Sequence, residues 1–282
     1  MLSKCSARQE QDVGPDFTIA QRWGDYTPDE HARWRTLFAR QEQTLVNRGA
    51  PEFLAGVKEF GMAAGGIPDF QCLNDVLNQR TGWTIVAVPG LVPDDVFFKH
   101  LANRQFPSTR FIRRSDQMDY IQEPDIFHDI FGHVPLLLNP VFADFMQAYG
   151  RAGLSAMGVG CLENLARLYW YTVEFGLIRT RVGVRIYGSG IVSSRGEAMY
   201  CLDDRTPKRV VFDPVRVMRT AYRIDRYQDI YFVINAYEDL FAALQGNMEA
   251  RYAAANDVAC LTPGQSVEGD VAVRRTIDQE GK

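Results

Sequence analysis

Large apolar residues recur at helical spacing over most of the chain and alternate in only a few short stretches, which predicts a mainly α protein with a few short β-strands. Thr27-Pro28-Asp29-Glu30 places a capping hydroxyl, a first-turn proline and two acids ahead of a helix that carries Trp34, Leu37 and Phe38. Further helices are predicted at about 51–60, 69–79 and 93–103, and Trp83 to Val88 reads as a short strand ended by Pro89-Gly90. From Asp125 to Gly176 the pattern is almost wholly helical, with breaks at Asn139-Pro140 and from Gly158 to Gly160. Val182 to Tyr187, Arg209 to Phe212 and Ile230 to Ile234 read as strands, and Tyr237 to Ala255 as a closing helix. Residues 1–26 are polar and interrupted by Gly14-Pro15 and Gly24, so they read as an arm with little core of its own. A single domain is predicted over 27–260, followed at 261–282 by a solvated, flexible tail with few large apolar groups.

Composition narrows the classes of function. With 46% hydrophobic and 23% charged residues among 282, the chain can bury a sizeable core. A net charge of -4 offers no clustered cationic surface for phosphate backbones or anionic lipid, so neither nucleic acid nor membrane is an expected partner. The start of the chain lacks the apolar stretch of a signal peptide and no run approaches ~20 apolar residues, which points to the cytoplasm. Cys5, Cys72, Cys161, Cys201 and Cys260 are odd in number and scattered, and read as reduced thiols.

Candidate chemistry concentrates in two segments. Of only four histidines, His128 and His133 lie within six residues of each other, before Pro135 and on either side of Gly132. On an α-helix a spacing of five turns the second ring by about 140° beyond one full turn, wide for a shared face unless the backbone adjusts. Glu174 is a lone carboxylate in the apolar segment Leu168 to Leu177, where an uncompensated charge is costly. Each group also has an ordinary explanation: hydrogen-bonded core histidines, and a glutamate paired with Arg167 or Arg179. Taken together, two histidines and one carboxylate match the facial triad of non-haem iron(II) oxygenases. Zinc peptidases use the same residue types, but with His-Glu-x-x-His spacing that is absent here.

The blocks Glu123 to Leu136, Tyr169 to Gly176 and Tyr187 to Ser194 resemble, in order, the motifs of the biopterin-dependent aromatic amino acid hydroxylases. The resemblance is clear from about Trp83 to Leu202 and weaker to about Leu244, and it is to the bacterial members, without the regulatory domain and oligomerising helix of animal relatives. It implies a single catalytic domain acting as a monomer on L-phenylalanine, O2 and a tetrahydropterin, with Fe(II) held by His128, His133 and Glu174. It also implies that the pterin supplies the electrons. Arg113 then matches the arginine that binds the substrate carboxylate, Asp125 the group that holds its guanidinium, and Ser193 an added hydroxyl on the same carboxylate. Pro124, Trp170 and Phe175 match positions around the substrate ring, and Gly190 one that allows close backbone approach. Gly90, Leu91 and Val92 match the loop at the pterin edge, Phe97 the ring stacked on it, and Asp129, Ala166 and Tyr169 residues beside it. Asp129 could instead orient His128. Ile121 stands where animal members have threonine, which places more weight on Arg113 and Ser193 for the carboxylate. Tryptophan or tyrosine hydroxylation by the same mechanism, and a non-catalytic metal-binding regulator, are the alternatives.

Overall fold

A computed structural model describes residues 13–274 except 63, 64 and 120. The first helix, α1, runs Pro28–Leu45 and starts at a complete capping box, in which Thr27 accepts from the Glu30 backbone and Glu30 reaches back to the Thr27 N–H. After α2 (Pro51–Glu59) and α3 (Phe70–Arg80), β1 (Thr84–Val88), α4 (Asp94–Ala102) and β2 (Gln105–Thr109) form a crossover unit in which β1 and β2 pair in parallel. Strand β2 was not expected from the pattern: Pro107 lies in its middle, and proline is tolerated there because β2 is an edge strand.

The centre of the molecule is helical, as predicted, but not uniformly α. A π-helix, Phe127–His133, runs into a 3₁₀ segment, Val134–Leu138; then follow α5 (Pro140–Gly158), α6 (Leu162–Tyr169) and a second π-helix, Trp170–Glu174. The second sheet has the order β4 (Gly183–Ile186), β3 (Leu177–Thr180), β6 (Ile230–Ile234), β5 (Lys208–Val211), with β3 antiparallel to β4 and β6 parallel to both β3 and β5. Between them lie α7 (Ser189–Val192), α8 (Arg195–Asp203) and α9 (Pro214–Met218).

One aromatic cluster explains why the first π-helix points its histidines where it does. Phe127 and Phe131 stack at 4.9 Å and 9°, and are met edge-on by Trp34, Phe38 and Phe53 from α1 and α2. Burying that face leaves the polar positions of the same helix to the opposite side. Behind it, α4 packs so closely on α5 that a Cβ at Gly153 would fall 2.0 Å from the Phe98 ring.

Two sequence expectations change. The closing helix at 237–255 is two, α10 (Glu238–Ala243) and α11 (Met248–Asn256), because Gly246 takes a left-handed φ of 80°. The polar composition of 261–282 suggests a free tail, yet its described part, 261–274, is tied to the sheet: Val211 N–H donates to Val271 O, Val273 N–H to Arg209 O, and Arg216 pairs with Asp270. Backbone pairing needs no apolar side chains, so composition does not reveal it. Residues 13–26 contribute no buried side chain but are held in place, with Ile19 bridging Ala87 and the Trp23 indole N–H donating to Ile67 O.

Candidate metal centre and aromatic cleft

The two π-helices carry the three predicted ligands. An i→i+5 hydrogen-bond pattern winds the helix more loosely, which reduces the angular offset that an α-helix would impose between His128 and His133. Their Nε2 atoms lie 3.2 Å apart; His133 Nε2 is 3.2 Å from Glu174 Oε1, and His128 Nε2 is 3.5 Å from Glu174 Oε2. All three ligand atoms lie within 4.8 Å of one another. Glu174 pairs with neither Arg167 nor Arg179: Arg167 instead bonds Glu163 and Met218 O.

Protonation suits a cation. Burial drives the His128 pKa down to about 4, so the ring is neutral near pH 7. Burial opposes the Glu174 anion, but the two imidazoles and the Ser189 hydroxyl outweigh it and hold the carboxyl at about 2. Ser189 Oγ donates to Glu174 Oε2 at 2.8 Å. The His128 tautomer follows from Ser193. Its hydroxyl donates to Ser189 O at 2.7 Å, so its oxygen is left to accept from His128 Nδ1–H at 2.9 Å, and the His128 Nε2 lone pair is aimed at the centre. Two imidazoles and a carboxylate converging on one point are the donor set that an iron(II) ion requires.

Beside the triad lies a cleft of about 550 Å³. Arg113, Pro124, Trp170, Phe175, Gly190 and Ser193 all line it together with His128 and Glu174. Asp125 is wholly buried behind Arg113 and makes a two-bond pair with it, Nε to Oδ2 and Nη2 to Oδ1, both 2.8 Å. Asp125 also accepts the backbone N–H groups of Arg113 and His128, so one carboxylate ties the guanidinium to the start of the ligand helix. Burial works against its charge, yet Arg113 holds its pKa below the ordinary value. Trp170 lies 4.7 Å from Phe175 and stacks on Tyr222 at 4.3 Å and 15°. At Gly190 a Cβ would come within 2.8 Å of the Phe175 ring, so the glycine is needed for that ring to sit as it does.

Two predicted roles look different in the fold. Ser193 has its hydroxyl hydrogen committed to Ser189 O, which leaves it holding His128 rather than offering a donor to a carboxylate. Asp129 does not orient His128; it accepts from Thr109 N–H at 2.7 Å and Thr109 Oγ–H at 2.9 Å, while burial pushes its pKa up to about 7. The sequence reading also missed one whole wall, formed by Ile224, Asp225, Arg226, Tyr227 and Gln228 with Glu197. Ile224 to Gln228 belong to a loop without periodicity and Glu197 to α8, and only the fold brings them together beside Trp170.

The residues assigned to the pterin lie outside the wall of that cleft. Tyr169 links them to the metal centre, with its ring 6.4 Å from His133 and 6.0 Å from Phe97. Ala166 precedes Tyr169 by three positions on α6. Gly90, Leu91 and Val92 form the turn between β1 and α4, with Leu91 largely exposed and Gly90 close to Glu123.

Residues 17–255 match the family model described as biopterin-dependent aromatic amino acid hydroxylase. The chain is 56% identical to phenylalanine-4-hydroxylase of Ralstonia nicotianae, over 96% of this chain and 86% of the relative. It is 51% identical to the Chromobacterium violaceum phenylalanine-4-hydroxylase, over 94% and 89% of the two chains. A crystal structure of the Chromobacterium violaceum phenylalanine hydroxylase bound to cobalt superimposes with a TM-score of 0.92 at 48% identity, covering 97% of this chain and all of that one. The chain belongs to the biopterin-dependent aromatic amino acid hydroxylases.

Proposed function

We propose that this chain is an iron(II)- and tetrahydropterin-dependent monooxygenase that converts L-phenylalanine to L-tyrosine with O2. The observation that carries the reading is the convergence of His128, His133 and Glu174 at the end of a cleft that also holds a buried, Asp125-braced Arg113. His128, His133 and Glu174 would hold the iron. When bound, the iron and the reduced pterin supply the oxygen activation and the electrons that ring hydroxylation needs.

The rest falls to the chain's own groups. Asp125 occupies Nε and one Nη2 hydrogen of Arg113, so the other donors of the guanidinium remain for a substrate carboxylate. With the carboxylate held there, the substrate ring lies among Pro124, Trp170 and Phe175, whose apolar surfaces exclude water from the ring and orient it toward the triad. Gly190 keeps Phe175 in that wall. Phe97, Tyr169, Ala166, Asp129 and the turn Gly90-Leu91-Val92 form the pterin side, with Tyr169 between it and His133. We also take the chain to act as a cytoplasmic monomer on small molecules alone; no helix among the described residues is long and apolar enough to cross a membrane.

The test is tyrosine formation from phenylalanine by protein reconstituted with Fe(II) and a reduced pterin, alongside Glu174→Ala. The variant should lose both tight metal binding and turnover, and normal turnover by Glu174→Ala would defeat the assignment.

A further inference from the structure

Gln228 is almost fully buried, lies in the wall of the cleft, and has every polar atom of its side chain engaged. Its Oε1 accepts the Trp170 indole N–H at 3.0 Å. Its Nε2 donates to Arg223 O at 3.0 Å and Arg226 O at 3.4 Å. An indole nitrogen only donates and a carbonyl only accepts, so the amide has a single workable orientation. Its backbone N–H donates to Glu197 Oε1 at 3.1 Å, and the same oxygen accepts the Tyr231 hydroxyl at 2.5 Å. One residue therefore closes the 223–226 turn, is pinned to α8, and bonds the Trp170 indole beside it in the cleft wall.

We propose that Gln228 is a positioning residue for the aromatic substrate, which fixes the Trp170 indole against the 222–228 loop and so sets the width of the slot for the substrate ring. The proposal rests on the reading of this cleft as the phenylalanine site. Trp170 is half-buried and touches Tyr222 and Phe175 through its ring faces. Stacking restrains the plane of the indole but is tolerant of rotation within that plane; the Nε1–H bond to Gln228 is the directional contact that selects one orientation. Without it the ring wall and the loop lose their common reference, and substrate binding suffers before the chemical step does.

The test is a double-mutant cycle on iron-loaded enzyme: wild type, Gln228→Met, Trp170→Phe and the double variant, each measured for KM and kcat with phenylalanine and for phenylalanine Kd by calorimetry. Gln228→Met keeps the volume and removes the acceptor. It should raise KM and Kd about ten-fold while kcat moves less than about three-fold, the signature of lost ground-state positioning. In the Trp170→Phe background, where the indole N–H is already gone, the same replacement should shift KM and Kd less than about three-fold. An equal effect in both backgrounds overturns the proposal, because Gln228 then acts through the loop alone; so does an unchanged KM in the single variant. If Gln228→Met does not fold, the cycle is run with Gln228→Asn, whose amide is retracted by one methylene from the indole, and the same outcomes decide. A wild type that neither binds phenylalanine nor forms tyrosine defeats the substrate reading, whereas a competent wild type with additive variants defeats only the role of Gln228.

Discussion

Replacing Ser193 by alanine separates two roles that look alike in the sequence. In the fold, Ser193 Oγ sits 2.9 Å from His128 Nδ1 and 2.7 Å from Ser189 O. Removing it leaves the His128 ring N–H without its acceptor and frees the imidazole to carry its proton on Nε2, the atom that faces Glu174 and His133. A neutral hydrogen bond contributes about 0.5–1.5 kcal/mol net. The groups that orient a metal-ligating histidine matter more, about 10–100-fold in metal affinity, because they also select the tautomer that can ligate. At about 1.4 kcal/mol per tenfold, Ser193→Ala should therefore weaken metal binding by about 1.4–2.8 kcal/mol. The assay is competition for Fe(II), or Co(II) as a spectroscopic substitute, against a chelator of known affinity, with phenylalanine KM measured at saturating metal. A metal affinity equal to that of wild type, with a raised KM, would refute the argument and return Ser193 to the substrate carboxylate.

Arg113→Ala should lower stability by about 3 kcal/mol, since it strands a fully buried Asp125, and should abolish measurable saturation with phenylalanine; urea unfolding and initial rates check both halves. Glu197 supplies a pH signature. Burial pushes its carboxyl up to about 7 against opposing hydrogen bonds from Tyr231 and the Gln228 backbone. Between its ordinary value of 4.5 and about 7 the folded chain holds a proton that the unfolded chain has released. Stability from this group thus falls as pH rises through that window. Glu197→Gln should flatten the decline between pH 5 and 8 in urea midpoints, and an unchanged slope would contradict it. Gly56→Ala would place a Cβ 2.3 Å from Pro135 O, two residues after His133, so overpacking should cost about 1–3 kcal/mol and reduce metal occupancy, read by thermal unfolding and metal analysis.

Much of the site was legible because metal chemistry restricts residue types. Histidine is rare in this chain, and a glutamate inside an apolar segment demands compensation, so His128, His133 and Glu174 stood out before any geometry was known. The spacing of five was harder to read. Judged on an α-helical period it looked awkward, and the answer lay in a π-helix that stacks Phe127 on Phe131 against Trp34, Phe38 and Phe53. Those partners come from α1 and α2, 78 to 93 residues away in the chain. Ser193 shows a different limit: the family resemblance implied a donor to the substrate carboxylate, but its hydrogen goes to Ser189 O. Only a complete count of donors and acceptors in space reveals such a commitment.

By itself, then, the sequence determined the local matters: the capped start of α1, the helical centre, and the two clustered histidines and lone glutamate of the candidate triad, whereas Arg113 stood out only through the family resemblance. Each depends on residue type or on neighbours within a turn or two. The tertiary structure alone decided the helical period that aligns the two histidines, the tautomer of His128, the pairing of 261–274 with the second sheet and the wall from Ile224 to Gln228. These arise from contacts between segments far apart in the chain, through hydrogen bonds that use backbone atoms common to every residue, so no pattern of side chains announces them.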